Sequence, residues 1–410
     1  MVWGASWIYN KVTGSESEKS DTEKTDADAD DNAAQSWMSK WWYGDDENDA
    51  EATIKENTVE KPLDRTGFLG HLTKKHQQAL DSLKYFVFTV NKPMDSNNQK
   101  EDKDQTSSDP VLTDEQLKYF TLRFKGKEAK MLCFLRKNDF DVVKSVKAFR
   151  QYLIWRWKAK IDEMVAKDMG KLLKNTVIKF CPFNDKKNRP ILICQVGLHV
   201  PGDYEQSALV AIFVFIMEII DAKIEAMGEV DQLDLCVIYD DWGYKNIDSN
   251  LDKIVLNLGK LYYPGTLGVC RILNPPWIFR GAWKVVSVFI DEKTFSKILM
   301  YGPNFKKQIQ EGIHLDTLPP ILGGTAKMVS IEDYFNRYSC LLKFNKNYYD
   351  EKKAKACIAL HKKEQAEHDA KHKEDESKES SSSKETSSSS SSVTEVTDKV
   401  ENLTVNTKQD

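Results

Sequence analysis

Few side chains in this sequence are spaced for chemistry. His368 and His372 stand four apart, which would put two imidazoles on one helix face for a divalent metal. They sit in a solvated KHKED run with no third ligand fixed beside them, so no metal site is expected. His199 and His314 adjoin apolar segments, where a hydrogen-bonded, partly buried imidazole is expected rather than a catalytic one. Asp240 and Asp241 end a predicted strand and could suggest an acid/base pair. Neighbouring strand residues point to opposite faces, so a helix N-cap is the expected role. GxGxxG after a strand, GxxxxGK followed by Ser or Thr, GxSxG and HExxH are all missing, which removes the common phosphate-cradling and hydrolytic sites. No enzyme is expected.

The formal net charge of −4 over 410 residues supplies no basic field for a nucleic-acid backbone, so no nucleic-acid partner is expected. Seven widely spaced cysteines without a CxxC pair read as reduced thiols of a cytosolic protein. The N-terminus lacks the pattern of a secretory leader, which leaves the Asn402 sequon idle. The longest apolar run, Ala208 to Ile220, is too short to span a bilayer and carries Glu218, so it reads as a buried helix.

The elements that would position a site fall in the middle of the chain. Residues 1–62 read as a disordered acidic segment bracketed by aromatic clusters, Trp3, Trp7, Ile8 and Tyr9 and then Trp37, Met38, Trp41, Trp42 and Tyr43. Residues 63–160 read as a helical lobe: one helical pattern from Arg65 to Val90, a flexible loop over 91–111, a capping box from Thr113 to Gln116, and a helix from Asp141 to Trp157. From Leu172 to about residue 326, β-branched runs alternate with helical ones, the pattern of an α/β sheet with crossover helices. Strands are predicted at Thr176–Phe180, Ile191–Gln195, Leu233–Tyr239 and Leu267–Leu273. Helices are predicted at Ser207–Met227, Leu251–Tyr262, Trp277–Phe289 and Thr294–Tyr301. Residues 327–372 read as a C-terminal helical segment and 373–410 as a disordered Ser-rich tail.

The segment LYYPGTLGVCRILNPPWIFRGAWKVVSVFIDEKTFSKILMYG, Leu261 to Gly302, closely resembles the signature of the CRAL-TRIO lipid-binding family: a YP-x-x-LG strand entry, an N-x-PW-x-F turn, a W-K helix and a D-x-x-T-x-SKI segment. Upstream, MLCFLRKNDFDVVKSV resembles the FLR motif of the family's helical unit and NRPILICQVGLH its GRP strand. Downstream, LPPILGG resembles its terminal LP-x-x-LGG. The resemblance covers roughly Leu112 to Gly324, and the extension and PPWIF segment look most like fungal homologues of the yeast secretory phosphatidylinositol transfer protein.

This resemblance implies a helical lobe on an α/β lobe whose sheet floors an apolar lipid pocket, closed by a mobile gate helix. Pocket and gate residues would be Leu235, Val237, Tyr239, Ile272, Trp277, Phe279, Val286 and Phe289. Trp277 to Ile290 is more apolar than one buried face requires, though an ordinary buried helix would also explain it. The family's headgroup contacts carry over to Arg136, Thr294 and Lys297, a planar fork, a hydroxyl and a point charge suited to a phosphoinositol. Two positions depart from the pattern. The family's glutamate after YP is Gly265, and the hydroxyl residues that bind a phosphatidylcholine headgroup are Leu235 and Val237. Hydrocarbon cannot satisfy a buried phosphate, so phosphatidylcholine is expected to bind poorly, and phosphatidylinositol or a sterol-like or isoprenoid lipid better.

The implied function is transfer of phosphatidylinositol by a cytosolic monomer that meets membranes transiently, with no cofactor besides the bound lipid. Exposing some thirty methylenes to water would cost on the order of 20 kcal/mol, so a carrier must enclose the chains. The alternative is a lipid-sensing scaffold or regulator that binds a sterol-like or other neutral lipid.

Overall fold

The computed structural model describes residues 59–94, 109–164, 171–174, 177–228 and 230–373. The chain divides into two compact units, 1–357 and 358–410. Most of the expected segments 1–62 and 373–410 and of the loop 91–111 lies outside the described residues, but Glu60, expected in the disordered segment, is held by Lys187, Arg189 and Arg271.

Local signals set the helical lobe. Thr73 caps α1 (Lys74–Tyr85), its hydroxyl accepting from the His76 amide. The helix expected from Arg65 therefore starts later, after a turn at residues 66–70. Its last five residues, Phe86–Val90, widen into a π-helical turn that Asn91 stops in the left-handed region. The capping box of Thr113 and Gln116 is formed at the start of α2 (Asp114–Arg123), each residue's amide donating to the other's side chain. α3 (Glu128–Lys137) and α4 (Val142–Lys158) follow, and α4 buries Val146, Phe149 and Leu153 as their spacing predicts.

The sheet comprises β1 (Ile178–Phe180), β2 (Ile191–Gln195), β3 (Leu233–Ile238), β4 (Leu267–Leu273), β5 (Ile298–Tyr301) and β6 (Val329–Ser330), in the order β5-β4-β3-β2-β1-β6. β2 to β5 are parallel neighbours, while β1 is antiparallel to both β2 and β6. Connecting β2 to β5 are α5 (Gln206–Met227), α6 (Ser249–Tyr262), α7 (Phe279–Ser287) and the short α8 (Glu292–Phe295). Because the strand order runs one way, crossovers of one hand must place these helices on one face. Residues 305–322, beginning with α9 (Phe305–Gln308), close the other, packing Phe305, Ile309, Ile313, Leu318 and Leu322 against Ile193, Cys236, Ile238 and Leu273. After the core come α10 (Ile331–Tyr338) and α11 (351–373).

Three expectations are corrected. The helix predicted at Thr294–Tyr301 is only α8, and Ile298–Tyr301 is strand β5, buried at every residue beside β4. Four consecutive apolar residues carry no period that separates a buried strand from a helix. The helix predicted at Trp277–Phe289 is trimmed to Phe279–Ser287, entered through a turn in which the Phe279 amide donates to Pro276 O at 2.9 Å. Asp240 and Asp241 cap nothing. Asp241 takes φ 58° in a turn closed by the Trp242 amide on Tyr239 O, and Asp248 caps α6 instead, accepting from Leu251 N–H at 3.0 Å.

The charge in the apolar run has a partner. Glu218 on α5 takes a two-pronged contact from Arg156 of α4, at 2.8 and 2.5 Å, and a third hydrogen bond from Tyr263 Oη at 3.0 Å. This buried joint ties the helical lobe to the sheet domain. Among the described residues no helix is long and apolar enough to cross a membrane.

Candidate functional site

Alternation along the central strands separates two unlike faces. Asp234, Cys236 and Ile238 of β3, and Ile191 and Ile193 of β2, are buried on the face closed by residues 305–322. Their neighbours Leu235, Val237, Leu192 and Cys194 point to the crossover face and are only half-buried, although they lie in the middle of the sheet under helices. The space between sheet and helices is therefore incompletely filled. Its walls are Cys270 and Ile272 of β4, Ile298 and Met300 of β5, Phe279, Trp283 and Val286 of α7, and Leu256 of α6. β4 is seven residues long, so this apolar face extends about 20 Å along the strands.

Of the pocket and gate residues predicted from sequence, Leu235, Val237, Tyr239, Ile272, Phe279 and Val286 come together here. Tyr239 and Phe279 meet edge-on at 4.8 Å. Two do not join them. Phe289 lies half-buried beneath the Lys253 ammonium, 5.3 Å from its ring centroid, and Trp277 is 76% exposed. Enclosure changes the hollow's polar groups. Burial pushes the Cys194 thiol up to about 12 and the Tyr239 hydroxyl well above its usual range, and the charge of Asp252 on α6 adds to both. Asp252 keeps accessible surface, yet loss of solvation, with Asp248 adding, pushes its own carboxyl up to about 6. Beside it, His199 Nε2 lies 3.1 Å from Asp248 Oδ2, the hydrogen-bonded, partly buried role predicted for that histidine. His368 and His372 share one face of α11, with rings 4.6 Å apart.

The predicted headgroup residues gather at the other end of the hollow, where β4 and β5 begin. Lys297 Nζ donates to the main-chain oxygen of Leu267 at 2.7 Å. Burial lowers its pKa, and the nearby charge of Arg136 lowers it further. Thr294 is anchored through its amide to Asp291 Oδ1 at 2.9 Å, Asp291 being the N-cap of α8. Arg136 is already engaged: its guanidinium donates to Asp231 Oδ2 at 2.7 Å, to Gly67 O at 3.3 Å, and stacks 3.9 Å over Phe68. Sequence reasoning missed three more cations. Lys137 donates to Lys260 O at 3.1 Å, and Lys293 to Lys137 O at 3.2 Å and Asp139 Oδ1 at 2.5 Å. Burial, and after it the charges of Lys260, Lys293 and Lys297, lower the Lys137 pKa against the pull of Asp291. Only the position of Lys137, next to Arg136, could have signalled this cluster. Lys297 and Lys137 are held by main-chain carbonyls rather than carboxylates, so their charge is available to an anionic ligand.

Gly265 stands at the edge of this cluster. At φ +74° it occupies a region glycine adopts without strain, and a Cβ there would lie 3.7 Å from Cys133 O, an ordinary contact. Backbone conformation, not lack of room, disfavours a larger residue. A separate recess of about 400 Å³ lies between α3, α5 and residues 341–345. Three ion pairs line it, Lys127 with Glu225, Lys130 with Asp221 and Arg123 with Asp162, so it reads as a joint between lobes.

Comparison with known proteins agrees with this geometry. Residues 174–324 match the CRAL/TRIO domain model. The Sec14 cytosolic factor of Schizosaccharomyces pombe is 27% identical over 217 residues, covering 49% of this chain and 75% of that protein. A CRAL-TRIO domain-containing protein of the same yeast is 25% identical, over 47% of this chain and 45% of its own length. The phosphatidylinositol/phosphatidylcholine transfer protein SFH11 of Arabidopsis thaliana is 26% identical, over 47% and 55%. The matches thus span about half the length of these last two relatives. A solved structure, described as the crystal structure of Sfh5, aligns over 58% of this chain and 83% of its own at 15% identity and a TM-score of 0.41. Residues 174–324 thus form a CRAL-TRIO domain, similar in sequence to Sec14-like proteins.

Proposed function

We propose that this protein is a lipid carrier that holds one phosphatidylinositol in the hollow beneath α7 and exchanges it with membranes. The observation that carries the reading is the pairing of an apolar hollow with Lys297, Lys137 and Thr294 at one end, the two lysines held on carbonyl oxygens. A lipid laid along the strands puts its phosphate among these cations and its chains over Leu235, Val237 and Ile272. Leu235 and Val237 offer no hydroxyl to a phosphate held deeper, which disfavours phosphatidylcholine. The name of the Arabidopsis relative, a phosphatidylinositol/phosphatidylcholine transfer protein, supports the ligand class. In this reading the protein is not an enzyme. It acts as a monomer in the cytoplasm with transient membrane contact, and takes no cofactor beyond its lipid.

A second reading, a sensor or regulator holding a sterol-like or other neutral lipid, draws on two observations. Arg136 is committed to Asp231, and Gly265 supplies no carboxylate for an inositol. Mass spectrometry of lipids co-purified with the wild type and with Thr294→Ala/Lys297→Ala decides between them. Phosphatidylinositol in the wild type and its loss from the variant is expected. A neutral lipid retained by both would establish the second reading.

A further inference from the structure

We propose that the loops leaving the C-terminal ends of β2, β3 and β4 form a docking rim that seats on a zwitterionic bilayer through Trp277 and Tyr244, flanked by Leu198 and Val200. What crosses this rim rests on the carrier reading; the docking itself is measured separately below.

The four side chains are 76%, 73%, 50% and 39% exposed. Single exposed apolar residues are ordinary, but these sit on three loops that topology brings to one sheet edge. The loops also touch. Asn246, buried after β3, donates to Gly197 O at 3.1 Å and His199 O at 2.7 Å, both after β2. A Cβ on Gly197 would fall 2.1 Å from Asp240 O, so the two turns are pressed together. Trp242 lies 6.3 Å from Phe279, at the start of α7 and just past Trp277. Trp277 itself follows Pro275 and Pro276, whose rings restrict the backbone. The aromatics thus project from a braced base. Trp and Tyr combine an apolar ring with one polar atom, a pairing that favours the headgroup level of a bilayer.

Charge selects the kind of membrane. Residues 196–205, 240–247 and 274–278 contain Asp203, Glu205, Asp240 and Asp241 against Lys245 alone. Such a surface is repelled by anionic lipid and accepts a neutral one. Position supplies the function. Tyr239 and Phe279 belong to the hollow's wall and border the rim, whereas the lysine cluster lies at the opposite end of the strands. The hydrocarbon end of the cargo therefore faces the rim, where α7 begins.

The test is co-sedimentation of the full chain with phosphatidylcholine vesicles and with vesicles containing phosphatidylserine, alongside mass spectrometry of the bound lipid. Tyr244→Ala/Trp277→Ala removes only exposed side chains, and a circular dichroism melt shows whether the fold persists. Binding to phosphatidylcholine vesicles should fall roughly tenfold for each aromatic removed, with cargo retained. Asp240→Asn/Asp241→Asn should raise binding to phosphatidylserine vesicles, and Asn suits the positive φ of Asp241. Unchanged vesicle binding by the aromatic variant overturns the rim. So does wild-type preference for phosphatidylserine. Wild type that sediments normally yet carries no lipid would overturn the carrier reading and leave the rim standing.

Discussion

The two faces of the sheet are built from alternate residues of the same strands and differ in how their space and charge are resolved. The face under residues 305–322 is full, and its charges are matched. Arg271 donates through Nε to both oxygens of Asp234, at 3.1 and 2.9 Å, through Nη1 to Tyr301 Oη at 2.8 Å and through Nη2 to Glu60 at 2.9 Å. Arg189 pairs with Asp185 and Glu60, and Glu60 also accepts from Lys187 at 2.6 Å. The face under α7 is half-filled, and the lysines at its end rest on carbonyls. A charge with a carboxylate partner inside a packed face holds structure. A charge without one, beside half-buried apolar residues, leaves room for the anionic ligand proposed above.

This contrast breaks most readily at Arg271. Arg271→Ala strands the buried Asp234 without its fork and should cost about 3–5 kcal/mol of unfolding free energy in a urea titration. On the open face, Val237→Ala removes only two methyl groups from a half-buried site and should cost about 1 kcal/mol or less. Similar losses at the two sites would mean that the hollow is packed core and that no cargo space exists.

Hydroxyls sharpen the comparison at smaller cost. Val237→Thr should lower stability by about 1 kcal/mol or less, whereas Ile238→Thr, one residue on and facing the full side, should cost about 2 kcal/mol. Leu235→Ser combined with Val237→Thr should raise the share of phosphatidylcholine among co-purified lipids. An unchanged lipid profile would show that these two positions do not set headgroup choice.

Much of this division was legible in the sequence, and the exceptions have physical causes. The strands Ile191–Gln195 and Leu267–Leu273 have the bounds their β-branched and aliphatic runs predict, and the capping box at Thr113 is formed. β5 was misread because Ile298 to Tyr301 is apolar throughout. Among site residues, motif resemblance reached Thr294 and Lys297 because their context is local. It could not reveal that Lys297 rests on Leu267 O, or that Glu60 meets Arg271 across 211 positions of chain. It grouped Trp277 with the pocket and gate residues, and could not say that this side chain is 76% exposed, because a motif does not fix which way a loop residue turns.

The smallest effects are in pH dependence, and the two faces should respond with opposite sign. Against the burial that would raise it, hydrogen bonds and charge from Arg189, with Lys187 and Arg271, hold the Glu60 carboxyl below its ordinary value. A depressed carboxyl stabilises the fold above its unfolded pKa, and that stability is lost as pH falls through the folded value. The stability gap between wild type and Glu60→Gln should therefore be widest at neutral pH and close below about pH 4. Asp252 is the reverse. Although its side chain keeps accessible surface, loss of solvation, with Asp248, raises it to about 6, so its contribution is fully present below about pH 4 and is lost as pH rises through 6. Asp252→Asn should thus be more stable than wild type at pH 7 and indistinguishable from it near pH 4. Thermal melts of both variants across pH 4–7 read the two signs directly. A shared sign would mean that Asp252 is freely hydrated and that the hollow's mouth is open solvent rather than part of an enclosed lipid site.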